Sequence, residues 1–363
     1  MGLIPALFAG LATSLALGCS ADTTAVADAA VDAGPSTDAV SPVPSDAGAD
    51  ALAPLTKLEN LVYVEFVLNT HDWVFFDDSI ATVNKVIDLH EKYKLPVEVY
   101  LTDPIIRTYV SKSPAFVERL KTSPVVSISH HVRPPAPYYS GYDWYGLDKL
   151  TDSALKTLLT SYEEHAIDLT TGLPNAAEAG GYEFMKKTIG YAPYVVTMSA
   201  GAGKVATTLA EIYKSKGALF TGRHSDKGTA WGETSNGLLM RPETAEVKAY
   251  EEKDDVDFET KILGPAMATV GTTRPAFVNL KWHEDNFYTS GTPWGNVYYA
   301  DAKAKTMKPP PYDTSAYEPV EKKTATQKAT QWKRYETALQ YMVAHTDTYR
   351  VISIRDLKTL AGL

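Results

Sequence analysis

From Leu58 to Leu363, short runs rich in β-branched and aromatic residues alternate with stretches whose apolar residues recur at helical spacing, and this alternation restricts the chain more than any other feature. NLVYVEFVLN is followed by DDSIATVNKVIDLHEKY, where Ile80, Val83, Ile87 and His90 fall on one helical face. LPVEVYLT precedes SPAFVERLKTS, which places Ser113 as N-cap and Pro114 at the first helical position. PVVSISHH, APYVVTMSA, ALFTGRH, NGLLMRPE, PAFVNLKWHE and YRVISI continue the strand-like series, with helical patterns such as GYEFMKKTIG, GKVATTLAEIYKSKG and TQWKRYETALQYMVAHT between them. Repeated strand–helix units imply a parallel sheet with helices outside. About eight strand candidates favour an α/β fold: an irregular (β/α) barrel of about seven to eight parallel strands with outer helices, one domain over residues 55–363. No GxGxxG follows the first strand and there is no P-loop, so a nucleotide cofactor is not indicated.

The N-terminal region has a different composition. MGLIPALFAGLATSLALGCS is apolar from Leu3 to Gly18, which is short for a membrane span of about 20 residues and suits the apolar core of a secretory signal. LALGC resembles a bacterial lipobox, and Cys19 is the only cysteine among 363 residues. That resemblance implies a signal peptide over residues 1–18, lipidation at Cys19, and an exported lipoprotein on the periplasmic face, outer membrane or cell surface. Residues 19–54 hold six aspartates, no Lys or Arg and no aromatic side chain, and read as a disordered Ala/Asp/Ser/Pro tether. Those aspartates account for six of the nine net negative charges and leave −3 for the rest. A weakly acidic body argues against nucleic acid as a partner, and membrane contact is expected through lipidated Cys19 only. With a single cysteine the chain has no internal disulfide, so its stability comes from its core.

Groups capable of chemistry gather where strands end. VLNTHDW ends in His71-Asp72, VYLTD in Asp103, SISHH in His130-His131, LFTGRH in His224, LLMRPE in Arg241 and Glu243, and NLKWHED in His283, Glu284 and Asp285. In parallel α/β folds these ends converge on one face, where active sites are built. Five of the eight histidines lie there, whereas His90, His165 and His345 sit in helical patterns and read as packing or surface residues. Two chemistries fit. Asp72 with His130, His131 or another histidine matches a catalytic zinc-type divalent metal site with one open position. Adjacent His130 and His131 point to opposite faces of a regular strand, so sharing one ion requires a bend there. Alternatively, His283 with Glu284 or Asp285, across the mouth from Asp72, supplies the paired carboxylates of a metal-independent glycoside hydrolase. Aromatic side chains surround these ends, with Tyr138, Tyr139, Trp144 and Tyr145 after the histidine pair and Trp231, Trp282, Tyr288 and Trp294 near later strands. Such faces suit sugar rings, and the expected substrate-binding set is Tyr139, Trp144, His224, Trp231 and Arg241. A glycan-binding protein without catalysis is the third reading.

The layout resembles the polysaccharide deacetylase superfamily, the NodB-like carbohydrate esterases, loosely from Leu61 to Leu360. In NTHDW, His71 stands at that family's base position and Asp72 at its metal position. SISHHVRPP is similar to the histidine motif, with His130 or His131 as the first ligand, and His283 in LKWHE resembles the late histidine that acts as acid. The resemblance implies an irregular barrel, a divalent metal, and hydrolysis of a carbohydrate-linked ester or amide. The chain departs from the pattern at His71, where the family has Asp, and at Val132 to Pro135, which offer no second histidine one turn on.

Overall fold

The computed structural model of the chain describes residues 54–139, 143–197, 203–222, 228–251, 255–301, 306–318 and 320–363. Cys19, the signal and tether segments up to residue 53, and His224 lie outside the described residues. No helix among the described residues is long and apolar enough to cross a membrane.

The strands are β1 (Val62–Thr70), β2 (Val97–Leu101), β3 (Val126–His131), β4 (Val195–Thr197), β5 (Phe220–Gly222), β6 (Leu238–Met240), β7 (Ala245–Lys248), β8 (Ala276–His283) and β9 (Tyr349–Ile352). They pair in parallel in the order β7-β8-β1-β2-β3-β4-β5-β6. Only Arg241 to Thr244 separate β6 from β7, so one bent stretch pairs with β5 through its first half and with β8 through its second. The sheet curls into a half-barrel whose two edges are linked by that stretch. The eighth expected strand, β9, does not widen the wall. It pairs with Val62 to Glu65 of β1, below the point where β2 takes over that edge at Val67. Before β6 a short antiparallel hairpin turns at Asn236-Gly237, both with positive φ (50° and 79°), the geometry that two-residue hairpin loops need.

Helices α1 (Phe76–Tyr93), α2 (Asp103–Lys112), α3 (Pro114–Thr122), α4 (Asp152–Tyr162), α5 (Gly181–Ile189), α6 (Lys204–Lys216), α7 (Gly264–Val270), α8 (Ala325–Ala344) and α9 (Ile354–Leu360) fill the connections. Pro114 opens α3 as expected, but the Ser113 side chain makes no capping bond, since its backbone (φ −148°, ψ 65°) is not that of a capping residue. Helix α8 has a complete capping box, with Thr324 accepting from Gln327 N and the Gln327 side chain accepting from Thr324 N. His90 packs on α1 as anticipated: Nδ1 meets the Leu95 carbonyl and Nε2 the Tyr335 hydroxyl, and burial pushes its pKa down to about 4. His165 departs from the helical pattern and opens a short strand (His165–Ile167) paired with Pro174–Ala179.

Every residue of β1 is buried, because both faces of the strand are covered. Val62, Val64, Phe66 and Leu68 point outward into an aliphatic layer with Val83, Val86 and Ile87 of α1. Phe66 stacks on Trp282 at 5.9 Å and meets His90 and Tyr335 edge-on. Burying each such side chain contributes about 1.5–3 kcal/mol. The alternate residues face the barrel interior. Tyr63, Val67, Val195, Phe220, Phe277 and Ile352 form an apolar layer, and a charged cluster shares the interior with them. Arg241 Nη1 reaches Glu65 at 3.5 Å and the Tyr100 hydroxyl at 3.3 Å, and its Nη2 donates to Glu243 at 3.0 Å. Asn279 also donates to Glu243, and Ser129 donates to Glu98. Glu65 is therefore an inward polar group, and Arg241 is part of the barrel filling rather than of the mouth.

Candidate active site at the carboxyl ends of the strands

Strands β1 and β8 are neighbours in register, with Asn69 opposite His283. His71 lies two residues beyond Asn69, on the same face by the pleat. The two imidazoles meet edge-on with ring centroids 5.0 Å apart. Past His283 the chain turns into a single 3₁₀ turn (Glu284–Phe287), which brings the Asp285 carboxylate to 3.8 Å from His71 Nε2. One donor atom from each of His71, His283 and Asp285 lies within 4.8 Å of the others.

The surroundings hold this group in place. Glu284 turns the other way, and its Oε1 accepts the backbone N–H groups of His71 and Asp72, which ties the end of β1 to the end of β8. Asp72 Oδ1 accepts from Val74 N and Phe75 N at the entrance to α1, and its Oδ2 accepts from the Tyr288 hydroxyl at 2.7 Å. Tyr250 stacks on His283 at 5.0 Å, Trp294 meets His71 edge-on at 5.2 Å, and Thr292 donates to Asp285 Oδ2. Several polar atoms here are buried and unpartnered among the described residues: both ring nitrogens of His71, Glu284 Oε2 and Asp285 Oδ1. Native interiors leave few such atoms, and each costs about 1–3 kcal/mol unless something engages it.

Burial drives the charge states. For His71 burial opposes protonation, but the Glu284 and Asp285 carboxylates outweigh it and the net shift is upward. Burial raises Glu284 to about 7, partly countered by His71 and reinforced by Asp285 and Asp72. Burial also raises Asp72, offset in part by the Tyr288 hydrogen bond. Two imidazoles and a carboxylate are a donor set suited to a divalent ion. His71, His283 and Asp285 are the residues that would hold such an ion, with donor atoms within 4.8 Å of one another.

The set Asp72, His130 and His131 is not brought together in this way. His130 and His131 take opposite faces of β3, as the pleat requires, and the strand has no bend there. His130 points to the helices, with Nε2 3.9 Å from Glu163 and its ring against Tyr182 and Tyr213. Glu163 itself accepts from the hydroxyls of Tyr138 and Tyr213 and from Tyr182 N. His131 faces the interior, where Nδ1 meets Thr197 Oγ1 and the ring lies edge-on to Tyr100. None of the three residues that do converge was in the expected metal set: His71 and His283 were expected as base and acid, and the signal for Asp285 was only a carboxylate two places after a strand-end histidine.

Beside the histidines opens a cleft of about 880 Å³ lined by Trp73, Asp103, Arg107, His131, Arg133 and Tyr138, among others. The His71–His283–Asp285 group is not part of its lining; Trp73, two residues from His71, connects the two. Tyr139, Trp144, Trp231 and Arg241 do not line it either. Tyr139 is buried and bonded to Arg133 Nη1, and Trp144 packs against Gly172, where a Cβ would come within 2.3 Å of the indole. Trp231 lies against Phe220, at the opposite end of β5 from the mouth. The aromatic residues that do reach the cleft are Trp73, Tyr138, Tyr162, Phe184 and Tyr298.

No family model matches the chain, and no curated protein matches it. Among solved structures it is similar to a 4-alpha-glucanotransferase from Thermococcus litoralis, with TM-score 0.46 and 9% identity over 84% of this chain. The chain spans 41% of that enzyme's length. A Mycobacterium smegmatis protein described as a polysaccharide deacetylase aligns with TM-score 0.46 and 12% identity over 85% of this chain and 94% of its own. The peptidoglycan deacetylase PdaC from Bacillus subtilis aligns with TM-score 0.35 and 11% identity, over 84% and 93%. Similarity at this level decides neither activity nor substrate.

Proposed function

We propose that this chain is a metal-dependent hydrolase of a carbohydrate-linked ester or amide, with a divalent ion, zinc by donor type, held by His71, His283 and Asp285. The observation that carries the reading is the pair of buried His71 ring nitrogens, neither in a hydrogen bond of ordinary length among the described residues, within reach of a second imidazole and a carboxylate at the barrel mouth. The resemblance of NTHDW, SISHHVRPP and LKWHE to deacetylase motifs supports the same class. An ion bound there supplies a Lewis acid for an acyl carbonyl and brings a water's pKa to about 7. With both histidines engaged as ligands, Glu284 Oε2 is the neighbouring group left to take up and return a proton. Asp72, tied to Tyr288 and to the start of α1, positions His71 through the backbone. Tyr250 and Trp294 fix the two imidazole planes.

A second reading has an observation of its own. His71 Nε2 at 3.8 Å from Asp285, with burial outweighed and its pKa raised by the Glu284 and Asp285 carboxylates, is also an imidazole–carboxylate pair, the arrangement used in metal-free acid–base catalysis with Glu284. Elemental mass spectrometry of the full chain separates the two. Near-stoichiometric divalent metal, lost in His71→Ala and Asp285→Asn and kept in His130→Gln, supports the metallohydrolase, and acetate release from acetylated glycans then tests the reaction. Loss in Asp72→Asn but not in His71→Ala would return the ligand role to Asp72. Absence of metal after reconstitution leaves the acid–base reading, and binding of glycans without turnover leaves a non-catalytic receptor. The chain is further proposed to be an exported lipoprotein anchored through Cys19 and tethered by the segment up to residue 54. Incorporation of labelled palmitate, abolished by Cys19→Ala, tests that.

A further inference from the structure

Arg133 carries a charge that the fold does not neutralise. It follows β3, lines the cleft, and is half-buried. Its Nη1 donates to the Tyr139 hydroxyl at 2.9 Å and its guanidinium lies over the Tyr139 ring. Its Nε is buried without a partner, and no carboxylate lies within 4 Å of it among the described residues. Of the other charged groups lining the cleft, Lys112 has its Nζ over the Phe76 ring at 5.1 Å, and the rest are engaged by polar partners. Arg107 is engaged by Glu178 and Asp103. Glu163 is enclosed by Tyr138, Tyr213 and Tyr182 N. Asp168 is taken up by Thr170 N and Thr171 N of its own turn. A half-buried guanidinium is costly to leave without an anion, and it is the side chain best shaped to grip a planar one. With Nη1 occupied and Nε closed off from solvent, Nη2 remains as the donor open to an anion. The cleft volume of about 880 Å³ lies within the ~300–1,000 Å³ range of ligand sites, and Trp73 and Tyr138 provide faces for sugar rings.

From this geometry we infer that Arg133 selects carboxylate-bearing glycans: a uronate or similar acidic sugar sits in the cleft with its carboxylate on Nη2, placing the neighbouring acyl group toward His71. The inference rests on the proposed glycan-directed function for its second half, the placement of the acyl group; the anion preference of the cleft stands apart from the metal. The probes are oligogalacturonate and hyaluronan fragments, each beside its methyl ester, which keeps the backbone and removes the charge. Titration calorimetry of the full chain, with and without added zinc, is expected to show at least one acid bound at least about ten-fold more tightly than its ester, with the difference shrinking as salt rises. Arg133→Gln should bring acid and ester within about two-fold of each other, while Arg133→Lys keeps a reduced preference. Equal affinity of the wild-type chain for acid and ester in both pairs would overturn the inference, as would no binding of any probe. The metal reading fails separately: acid preference with no metal uptake would sink the metallohydrolase and leave Arg133 standing. Metal uptake with no acid preference would do the reverse.

Discussion

The two faces of the barrel wall are made from alternate residues of the same strands and are chemically opposite. Outward residues of β1, β2 and β8 (Val62, Val64, Phe66, Leu68, Val97, Val99, Val278, Leu280 and Trp282) join one aliphatic and aromatic layer under the helices. Inward residues include Glu65, Asn69, Glu98, Ser129, Asn279 and Lys281, buried together with Arg241 and Glu243. The outer face holds the fold by area removed from water, which tolerates imprecise geometry. The inner face adds to its own apolar layer of Tyr63, Val67, Phe220 and Phe277 a cluster of paired polar groups that does not tolerate the loss of a partner. The contrast teaches where function can be built. The mouth group continues the inward face, so its donors come from positions that the packing layer never uses. His130, one residue from His131 but on the outward parity, is absorbed into a tyrosine-rich network instead.

The sharpest way to break the comparison is to remove its anchors. Phe66→Ala should cost about 3–5 kcal/mol in urea unfolding, with metal content unchanged in the folded protein. Arg241→Met should cost a similar ~3–5 kcal/mol by removing the cation that donates to Glu243, Glu65 and the Tyr100 hydroxyl. A tolerated Arg241→Met would mean that the interior does not depend on charge pairing. The pH dependence follows from Glu65. Burial raises it to about 8, countered by Arg241 and reinforced by Glu98 and Glu243. The folded state thus holds a proton that the unfolded chain releases near its ordinary value of 4.5. This contribution is full below that value and is lost as pH rises to about 8. Asp103, raised by burial to about 6, acts in the same direction. His90 acts oppositely: its neutral form stabilises above the ordinary 6.5, and this is lost as pH falls toward about 4. Urea midpoints between pH 6.5 and 8 should therefore decline, and Glu65→Gln should flatten the decline; an unchanged slope in that variant would remove Glu65 as its source. His130→Gln, which disturbs the Glu163 network only, should cost about 1–3 kcal/mol. Thr324→Ala, an exposed cap far from both faces, should cost about 1 kcal/mol and serves as the baseline.

Much of this was legible in the sequence. All eight strand candidates are strands, and the titratable residues placed at strand ends do fall there for β1, β3 and β8. Inward parity could also be traced through Tyr63, Glu65, Val67, Asn69 and His71. The choice among candidate ligands was not legible. Local spacing gave His130 and His131 the same weight as His71 and His283, whereas the pleat sends His130 outward and the strand order of the sheet sets β8 beside β1. The aromatic residues misled for a similar reason: Tyr139, Trp144 and Trp231 have the composition of a sugar platform but spend their surface on Arg133, Gly172 and Phe220.

By itself, the sequence determined the element types, the α/β class and the end of the barrel where chemistry is placed, because these depend on patterns within a dozen or so neighbouring residues. Tertiary structure alone decided that Glu284 binds the backbone of His71 across 213 residues, that Asp285 rather than Asp72 completes the donor group, and that Arg133 is left facing a cleft without a counter-charge. Those outcomes depend on which strands become neighbours when the sheet curls and on which way each alternate side chain then points. Both are set by the whole barrel at once.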